Sequence, residues 1–331
     1  MKAGKVSEAI LKRTILKQLN SNNENVILSS AVGEDCSRMK VGEDEEVVFS
    51  VNPITMPIDE NKLGERAVYR AFNNVRAKGA RPVAILVSLL VPTSFNEQNV
   101  RTIIKQIDAV AGKLGAQVIG GHTECTRAVC VPIVTVTGVG LAKKDKFTSN
   151  KDVIANMDVI VTNWIGMDGT LALVDNEKEQ LLTRFAEPFL DRVDVFEEYL
   201  SIEEEAKIAY ENGAVTIHDI SEGGILGALW ELAEGANVGL EIDSRKIPIK
   251  QETIEICEFF KINPYKLSSM GSALIIAKNG SQVVEAIKRI GKNAEVVGRT
   301  TDSKDRVLLI GDERRFLETP QTDEIRKVLV Y

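Results

Sequence analysis

The sequence has few of the residues from which redox and transition-metal sites are built. It contains four cysteines, two histidines and 5% aromatic residues. The cysteines form no Cys-x-x-Cys pair, so their spacing indicates neither a zinc site nor a disulfide framework. The longest apolar runs, such as VAILVSLLV at 83–91, are far shorter than the roughly 20 residues that cross a bilayer. The opening stretch, MKAGKVSEAILKR, has no apolar core of a signal peptide. We therefore expect a cytoplasmic protein with no membrane partner.

Charge and length narrow the class of protein further. The net charge of -7 disfavours nucleic acid as the main partner. Hydrophobic residues make up 44% and charged residues 27%, as in soluble globular proteins. The 331 residues are enough for two domains. A polar stretch, KKDKFTSNKD at 143–152, predicts the boundary between domains at 1–150 and 151–331.

Apolar periodicity predicts an α/β (α+β) protein, because strand and helix patterns alternate in both halves. An amphipathic helix capped near Ser7 opens the first half. Further helices are predicted at 62–80, 100–114 and, as one highly charged segment, 176–211. Predicted strands lie at 46–51, 83–91, 116–121, 131–142, 159–166, 272–278 and 294–300, and in 214–224 a strand leads into a turn with paired glycines.

Four polar stretches that carry glycine or asparagine occur at the ends of these elements. They are AVGEDCS (31–37), SVNPIT (50–55), GGHTECT (120–126) and IHDISEGG (217–224). Ligands collect at strand ends in α/β proteins, and glycines let backbone N–H groups approach phosphates. Carboxylates grouped without cysteine favour a hard cation such as magnesium. Each stretch alone also fits an ordinary turn, with His122 as a hydrogen-bonded turn residue and Ser221 as a helix N-cap.

Taken in order, GEDC, NPIT, NNVRAKGARP, GGHTE, NWIGMDGT and HDISEGG resemble the aminoimidazole ribonucleotide (AIR) synthase superfamily. That superfamily includes thiamine-monophosphate kinase, selenophosphate synthetase and the hydrogenase-maturation carbamoyl dehydratase. Within it, the chain most resembles the AIR synthase-related proteins. The resemblance implies an N-terminal domain that forms a barrel by joining sheets in a homodimer, and a C-terminal α/β domain. It also implies that ATP with Mg²⁺ binds between the domains, for phosphoryl transfer or activation of a substrate.

The resemblance also assigns site residues, although it assigns no catalytic residue. The metal positions are Asp35 and Glu124. The nucleotide-binding positions are Gly33, Asn52, Asn74, Gly121, His122, Thr123, Gly169, Asp219, Glu222, Gly223 and Gly224.

Two of these positions depart from the family pattern. Asn52 and Asn74 stand where the family typically has aspartates that hold magnesium and the ATP phosphates. Placed on a helical wheel, Asn74 should point inward, whereas Asn73 falls on the polar side. Arg66 and Arg70 flank Asn74, and two interpretations stay open: a solvated helix face, or guanidinium groups that replace the metal at a phosphate site. An amide offers one uncharged oxygen, so we expect weakened magnesium binding.

Specialised members of the superfamily fit less well. The carbamoyl dehydratase needs a cysteine at its extreme C-terminus, and selenophosphate synthetase uses one in an N-terminal segment. Here the first and last cysteines are Cys36 and Cys257. The sequence therefore leaves two hypotheses. The first is an ATP- or nucleotide-binding protein with kinase- or synthase-like chemistry and a weakened magnesium site. The second is a catalytically inactive dimeric scaffold or regulator.

Overall fold

The structure of the chain, a computed structural model, describes residues 26–28, 33, 37–41, 43–144 and 147–329. The predicted helix near Ser7 and the predicted metal ligand Asp35 lie outside the described residues. No helix among the described residues is long and apolar enough to cross a membrane.

The described part of the N-terminal half is a six-stranded sheet with two helices packed on one face. The strands pair in the order β1-β2-β3-β6-β4-β5, and only β4 and β5 run parallel. The elements are β1 (Val26–Leu28), β2 (Ser37–Val41), β3 (Glu45–Ile54), α1 (Glu60–Ala77), β4 (Arg81–Pro92), α2 (Glu97–Lys113), β5 (Gln117–Thr126) and β6 (Ile133–Lys143).

Strict alternation in β3 and β6 decides which face of this sheet is covered. Val48 and Ser50 of β3 are buried toward α1, whereas Val51 between Ser50 and Asn52 is 63% exposed on the opposite face. Gly64 lets α1 and α2 approach closely, because a Cβ there would lie 2.4 Å from the Ile103 carbonyl oxygen. Both described helices of this half therefore lie on the same side of the sheet.

The C-terminal half is a seven-stranded mixed sheet in the order β13-β12-β9-β11-β7-β10-β8. Its strands are β7 (Asp158–Thr162), β8 (Ala214–Ile220), β9 (Gly239–Asp243), β10 (Ser272–Ala277), β11 (Ala294–Thr301), β12 (Arg306–Ile310) and β13 (Glu313–Phe316). Its α-helices are α3 (Met167–Leu181), α4 (Glu187–Leu190), α5 (Glu203–Glu211), α6 (Gly224–Ala236), α7 (Gln251–Phe260) and α8 (Gly280–Arg289). Short 3₁₀ segments lie at Asn150–Asp152, Asp191–Tyr199, Ser244–Lys246, Pro264–Lys266 and Glu324–Lys327.

One apolar cluster runs through both halves. It joins Phe72 of α1 to Leu171 of α3 and to Leu267, and it includes Ile325 near the end of the described chain. Burial of this shared cluster stabilises the contact between the two halves of the chain. The mixed α and β content agrees with the expected fold class.

Two predicted elements differ from the observed ones. The segment 176–211 is largely helical, as expected, but it is divided among the end of α3, α4, a 3₁₀ stretch at Asp191–Tyr199 and α5. The strand predicted to end near Gly121 continues to Thr126 as β5. Polar residues suit this edge strand because most of its side chains face solvent, so polarity did not mark a turn.

Candidate functional site

A polar cluster forms where β3, α1 and β8 meet. Alternation along β3 places Ser50 and Asn52 on the face that α1 covers. Asn74 of α1 points toward the same place and is 7% exposed, which confirms the orientation expected from the helical wheel. Asp219, one residue before the end of β8, is 5% exposed. The cluster therefore joins predicted site residues from both halves of the chain.

Short hydrogen bonds connect the cluster. With its amide oriented to satisfy both polar atoms, Asn74 donates Nδ2 to the two carboxylate oxygens of Asp219, at 2.5 and 3.0 Å. Its Oδ1 accepts from Ser50 Oγ at 2.9 Å and from Asn52 Nδ2 at 2.8 Å. Asn52 Nδ2 also lies 2.9 Å from Ser50 Oγ. Each polar atom of the Asn74 side chain thus has a partner.

This arrangement does not fit a tightly held magnesium ion. Both oxygens of Asp219 already accept from an amide, and the Asn74 oxygen already accepts from two donors. Magnesium requires several oxygen ligands in near-octahedral geometry, usually with one or two carboxylates. Within the part of the chain that the structure describes, no group of three or more His, Cys, Asp or Glu side chains is placed to hold a metal.

The C-terminal segment closes one side of the same region. Arg326 donates from Nη2 to Thr55 Oγ1 at 2.9 Å and to Glu222 Oε1 at 3.1 Å, while its Nε lies 3.3 Å from the same Glu222 oxygen. Thr55 follows β3 and Glu222 follows β8, each three residues beyond Asn52 or Asp219. Arg326 therefore bridges the two chain segments that supply the cluster.

Asp323 anchors this C-terminal segment. It accepts from the backbone N–H of Gly223 at 2.7 Å and from that of Ile325 at 2.9 Å. Burial raises the pKa of Asp323 to about 7, although the two N–H groups act in the opposite direction. The segment is thus fixed directly against the first residue of the Gly223-Gly224 pair.

Sequence reasoning missed both Arg326 and Asp323. They lie in a stretch without glycine that follows no apolar strand, and the partner Thr55 is 271 residues away from Arg326. Pairings at that separation leave no periodic signal.

The predicted glycine positions have different environments. Gly223 has φ 89° and caps α6, and Gly224 has φ 65°, so both backbones favour glycine. A Cβ on Gly169 or on Gly224 would collide with Leu267, which gives these two glycines close packing contacts. A Cβ on Gly33 would instead collide with the Glu231 carbonyl oxygen. Their nucleotide contacts stay predictions.

The two arginines on α1 do not form a solvated face. Arg66 is 1% exposed and Arg70 5% exposed, so that interpretation was wrong. Asp168 accepts from Arg66 Nη1 at 2.8 Å and lies 3.5 Å from Arg70 Nη2. The Ser268 hydroxyl donates to the same carboxylate at 2.7 Å. The arginines therefore hold α1 against the N-terminal turn of α3.

Asn73 also differs from its prediction. It is 2% exposed, donates to the Leu200 carbonyl at 2.8 Å and accepts from the Ile202 N–H at 3.1 Å. The polar side of α1 is polar because it faces backbone groups of the C-terminal half, not water. The wheel considered one helix alone and could not include that second surface.

The GGHTE motif lies on the exposed edge strand. Gly121 pairs with Val87, Val87 with Val136, and Val136 with Asn52, so Gly121 and Asn52 share one cross-strand row. Three strand spacings separate them by roughly 14 Å. His122 Nε2 lies 3.2 Å from Glu124 Oε2 on this exposed strand, and Thr123 between them is also exposed. The protomer therefore brings Asn52, Asn74 and Asp219 together but leaves Gly121, His122, Thr123 and Glu124 apart from them.

A cavity of about 330 Å³ borders the loop that contains Gly223. Gly227 on its wall has no atom within 4 Å of where a Cβ would stand, and Phe316 at its rim is 71% exposed. Tyr265 and Lys266 complete this side of the cavity. The cavity offers space for part of a ligand beside Gly223, although none of the cluster residues lines it.

Comparison with known proteins defines the family. The N-terminal domain of AIR synthase related proteins matches residues 33–142, and the C-terminal domain of the same proteins matches residues 158–310. The chain belongs to the AIR synthase related family.

Individual relatives match most of the chain. A putative hydrogenase expression/formation protein of Methanocaldococcus jannaschii is 28% identical over 98% of this chain and 97% of its own length. The phosphoribosylformylglycinamidine synthase subunit PurL of Caldanaerobacter subterraneus subsp. tengcongensis is 25% identical over 93% of this chain, which spans only 42% of PurL.

Solved structures share the fold. The hydrogenase maturation protein HypE in complex with ATP superposes with a TM-score of 0.73 at 16% identity, covering 98% of this chain and 97% of HypE. AaThiL complexed with AMPPCP and TMP gives a TM-score of 0.70 at 19% identity, covering 95% of this chain and 98% of AaThiL.

Proposed function

We propose that the chain binds ATP in the cleft between its two halves, with a weakened dependence on magnesium. The meeting of Asn52 and Asn74 with Asp219 carries this proposal, since it gathers family site positions from both halves at one point. HypE with ATP and AaThiL with AMPPCP support a nucleotide ligand for this fold. The reaction class is phosphoryl transfer or ATP-dependent activation of a small substrate, as in a kinase or a synthase.

The charge of the cluster is the reason for weakened magnesium binding. Its single described carboxylate, Asp219, accepts hydrogen bonds from the Asn74 amide through both of its oxygens. Two aspartates in place of Asn52 and Asn74 would create an excess of negative charge that demands a cation. The amides of Asn52 and Asn74 have nearly the same shape as aspartates but are uncharged, so the site does not need a cation to compensate them.

A catalytically inactive scaffold is the second candidate. The observation that favours it is the completeness of the cluster, because both oxygens of Asp219 are occupied by an internal donor. A scaffold needs no metal, whereas an enzyme with metal-dependent chemistry would depend on other acids, among them Glu124 on β5 and Asp35.

We also propose a homodimer formed by the sheet of the first half. Its uncovered face carries a row of neighbouring residues across three strands, Val51, Thr137 and Leu86, with Ile119 on the adjoining strand. Val51 is 63%, Leu86 41% and Ile119 56% exposed. A second copy that covers this face would remove the apolar row from water, and it is the source we propose for β5 residues in the cleft.

Calorimetric titration with ATP, in buffer with magnesium and in buffer with EDTA, tests the binding proposal. We expect binding in both buffers, together with a dimeric mass in light scattering at tens of micromolar protein. Measured phosphate release then separates the enzyme from the scaffold. Failure to bind ATP in either buffer would refute the nucleotide proposal, and a monomeric mass would refute the dimer.

A further inference from the structure

We propose that Arg326 is the cation that binds nucleotide phosphates in this cleft, in the role that a tightly held metal ion cannot fill. This inference rests on the proposed binding of ATP and names the group that recognises its charge. It starts from a disagreement: the family implies magnesium, yet both oxygens of Asp219 and the oxygen of Asn74 already accept hydrogen bonds within the cluster.

The position of Arg326 is the first support. Its guanidinium contacts Thr55 and Glu222, and these residues follow Asn52 and Asp219 by three positions on their chain segments. A guanidinium placed there joins the two chain segments that supply the cluster, one from each half of the chain. Arg326 is mostly buried, with a side chain 12% exposed, so its charge acts in a partly desolvated place.

The anchoring of Arg326 is the second support. Asp323, three residues earlier, is fixed by the N–H groups of Gly223 and Ile325, and Ile325 belongs to the shared apolar cluster. The short 3₁₀ segment Glu324–Lys327 then presents the guanidinium. Little conformational freedom remains to be lost when a ligand binds, which favours recognition by a preorganised donor.

The other cations near the cluster are less suited to this task. Arg66 and Arg70 are committed to the buried carboxylate of Asp168. Arg326 instead contacts one oxygen of Glu222, whose side chain is 23% exposed. A phosphate group presents more negative charge than this carboxylate and accepts two parallel N–H donors from a guanidinium. Exchange of Glu222 for phosphate therefore keeps the charge of Arg326 compensated.

The test is titration with ATP in EDTA and in magnesium for the native chain, Arg326→Gln and Arg326→Lys. Lys327→Gln is the matched control, because Lys327 is adjacent, has a side chain 63% exposed and pairs with Glu324. We expect native binding in EDTA, a loss of at least about tenfold for Arg326→Gln, a smaller loss for Arg326→Lys, and no change for the control. Circular dichroism and thermal unfolding establish that each variant is folded.

The outcomes separate this inference from the proposal beneath it. If folded Arg326→Gln binds ATP in EDTA as tightly as the native chain does, Arg326 only bridges two chain segments. That result would overturn this inference and leave the proposed ATP binding intact. Native binding that requires magnesium would overturn it as well, while ATP binding survives. No binding in either buffer would overturn both. Adenosine, which lacks phosphates, should bind native and Arg326→Gln equally, and a loss with adenosine too would count against a phosphate role.

Discussion

Replacement of Asn74 by aspartate should make the stability of the protein depend on magnesium. In the native chain the Asn74 amide donates to both oxygens of Asp219 at 2.5 and 3.0 Å. Asn74→Asp removes that donor and places a second carboxylate against the first. Two unit charges about 4 Å apart interact by about 4 kcal/mol at an effective dielectric constant of about 20. The loss of the amide donor adds to this cost.

We therefore expect the free energy of unfolding of Asn74→Asp in EDTA to fall by about 4 kcal/mol, a large part of the stability of an ordinary protein. Magnesium should restore much of it, because the paired carboxylates and the Asn52 oxygen then offer ligands to the ion. An ion present at a hundredfold excess over its dissociation constant returns about 2.7 kcal/mol. The double variant Asn52→Asp with Asn74→Asp should recover more and gain at least about tenfold in magnesium-dependent ATP affinity.

Urea unfolding followed by tryptophan fluorescence, in EDTA and in magnesium, measures the effect. A mildly alkaline pH keeps both carboxylates ionised, since a shared proton would otherwise relieve their repulsion. Asn156→Asp is the matched control, because it makes the same chemical change at an exposed residue and both side chains tolerate its φ of 64°. If Asn74→Asp unfolds like the native chain in EDTA, the described contact with Asp219 is wrong. If magnesium restores nothing, the cluster does not keep the shape of a metal site.

Three further predictions follow from buried groups. Asp323 has a pKa of about 7 in the folded chain against an ordinary 3.8, so the folded state holds its proton more tightly. Its contribution, on the order of 4 kcal/mol, should be complete below about pH 4 and be lost as pH rises through about 7, and urea unfolding across that range should show Asp323→Asn without this dependence. Burial raises the pKa of Cys257 to about 12, whereas Cys125 and Cys130 are exposed, so maleimide should label the latter two in the native chain and Cys257 only after unfolding. Peptide mapping that finds Cys257 labelled under native conditions would contradict its burial. Arg66→Met removes one partner of a buried ion pair and should cost about 3–5 kcal/mol in urea unfolding, and a loss below about 1 kcal/mol would show that the pair is dispensable.

The sequence predicts features that depend on one element. The period of α1 gives the inward direction of Asn74, and alternation in β3 gives its covered face. The same reasoning fails for Asn73, Arg66 and Arg70, because their partners Leu200, Ile202 and Asp168 belong to the other half of the chain. A helix can be buried on two sides and still be polar on one of them, provided that the neighbouring surface supplies hydrogen bonds or charges. A helical wheel shows only that this side is polar, so it cannot distinguish a polar protein surface from water.

The residues of the candidate site also differ in whether the sequence could predict them. Asn52, Asn74 and Asp219 could be grouped from the resemblance, since the family motif marks each of them. Arg326 could not, because its position depends on a C-terminal segment that returns to β3 across 271 residues.

The choice between an ATP-using protein and a scaffold depends on what replaced the missing charge. An amide that satisfies Asp219 explains how the chain folds without a cation, and this explanation holds equally for both candidates. Function separates them only if a positive charge remains for the phosphates. A scaffold released from nucleotide binding has no need to hold a mostly buried guanidinium between Thr55 and Glu222, where a neutral side chain would avoid the cost of desolvating a charge. The retained Arg326 therefore favours a cleft that still recognises an anion, and its effect on ATP binding in EDTA is the measurement on which that preference depends.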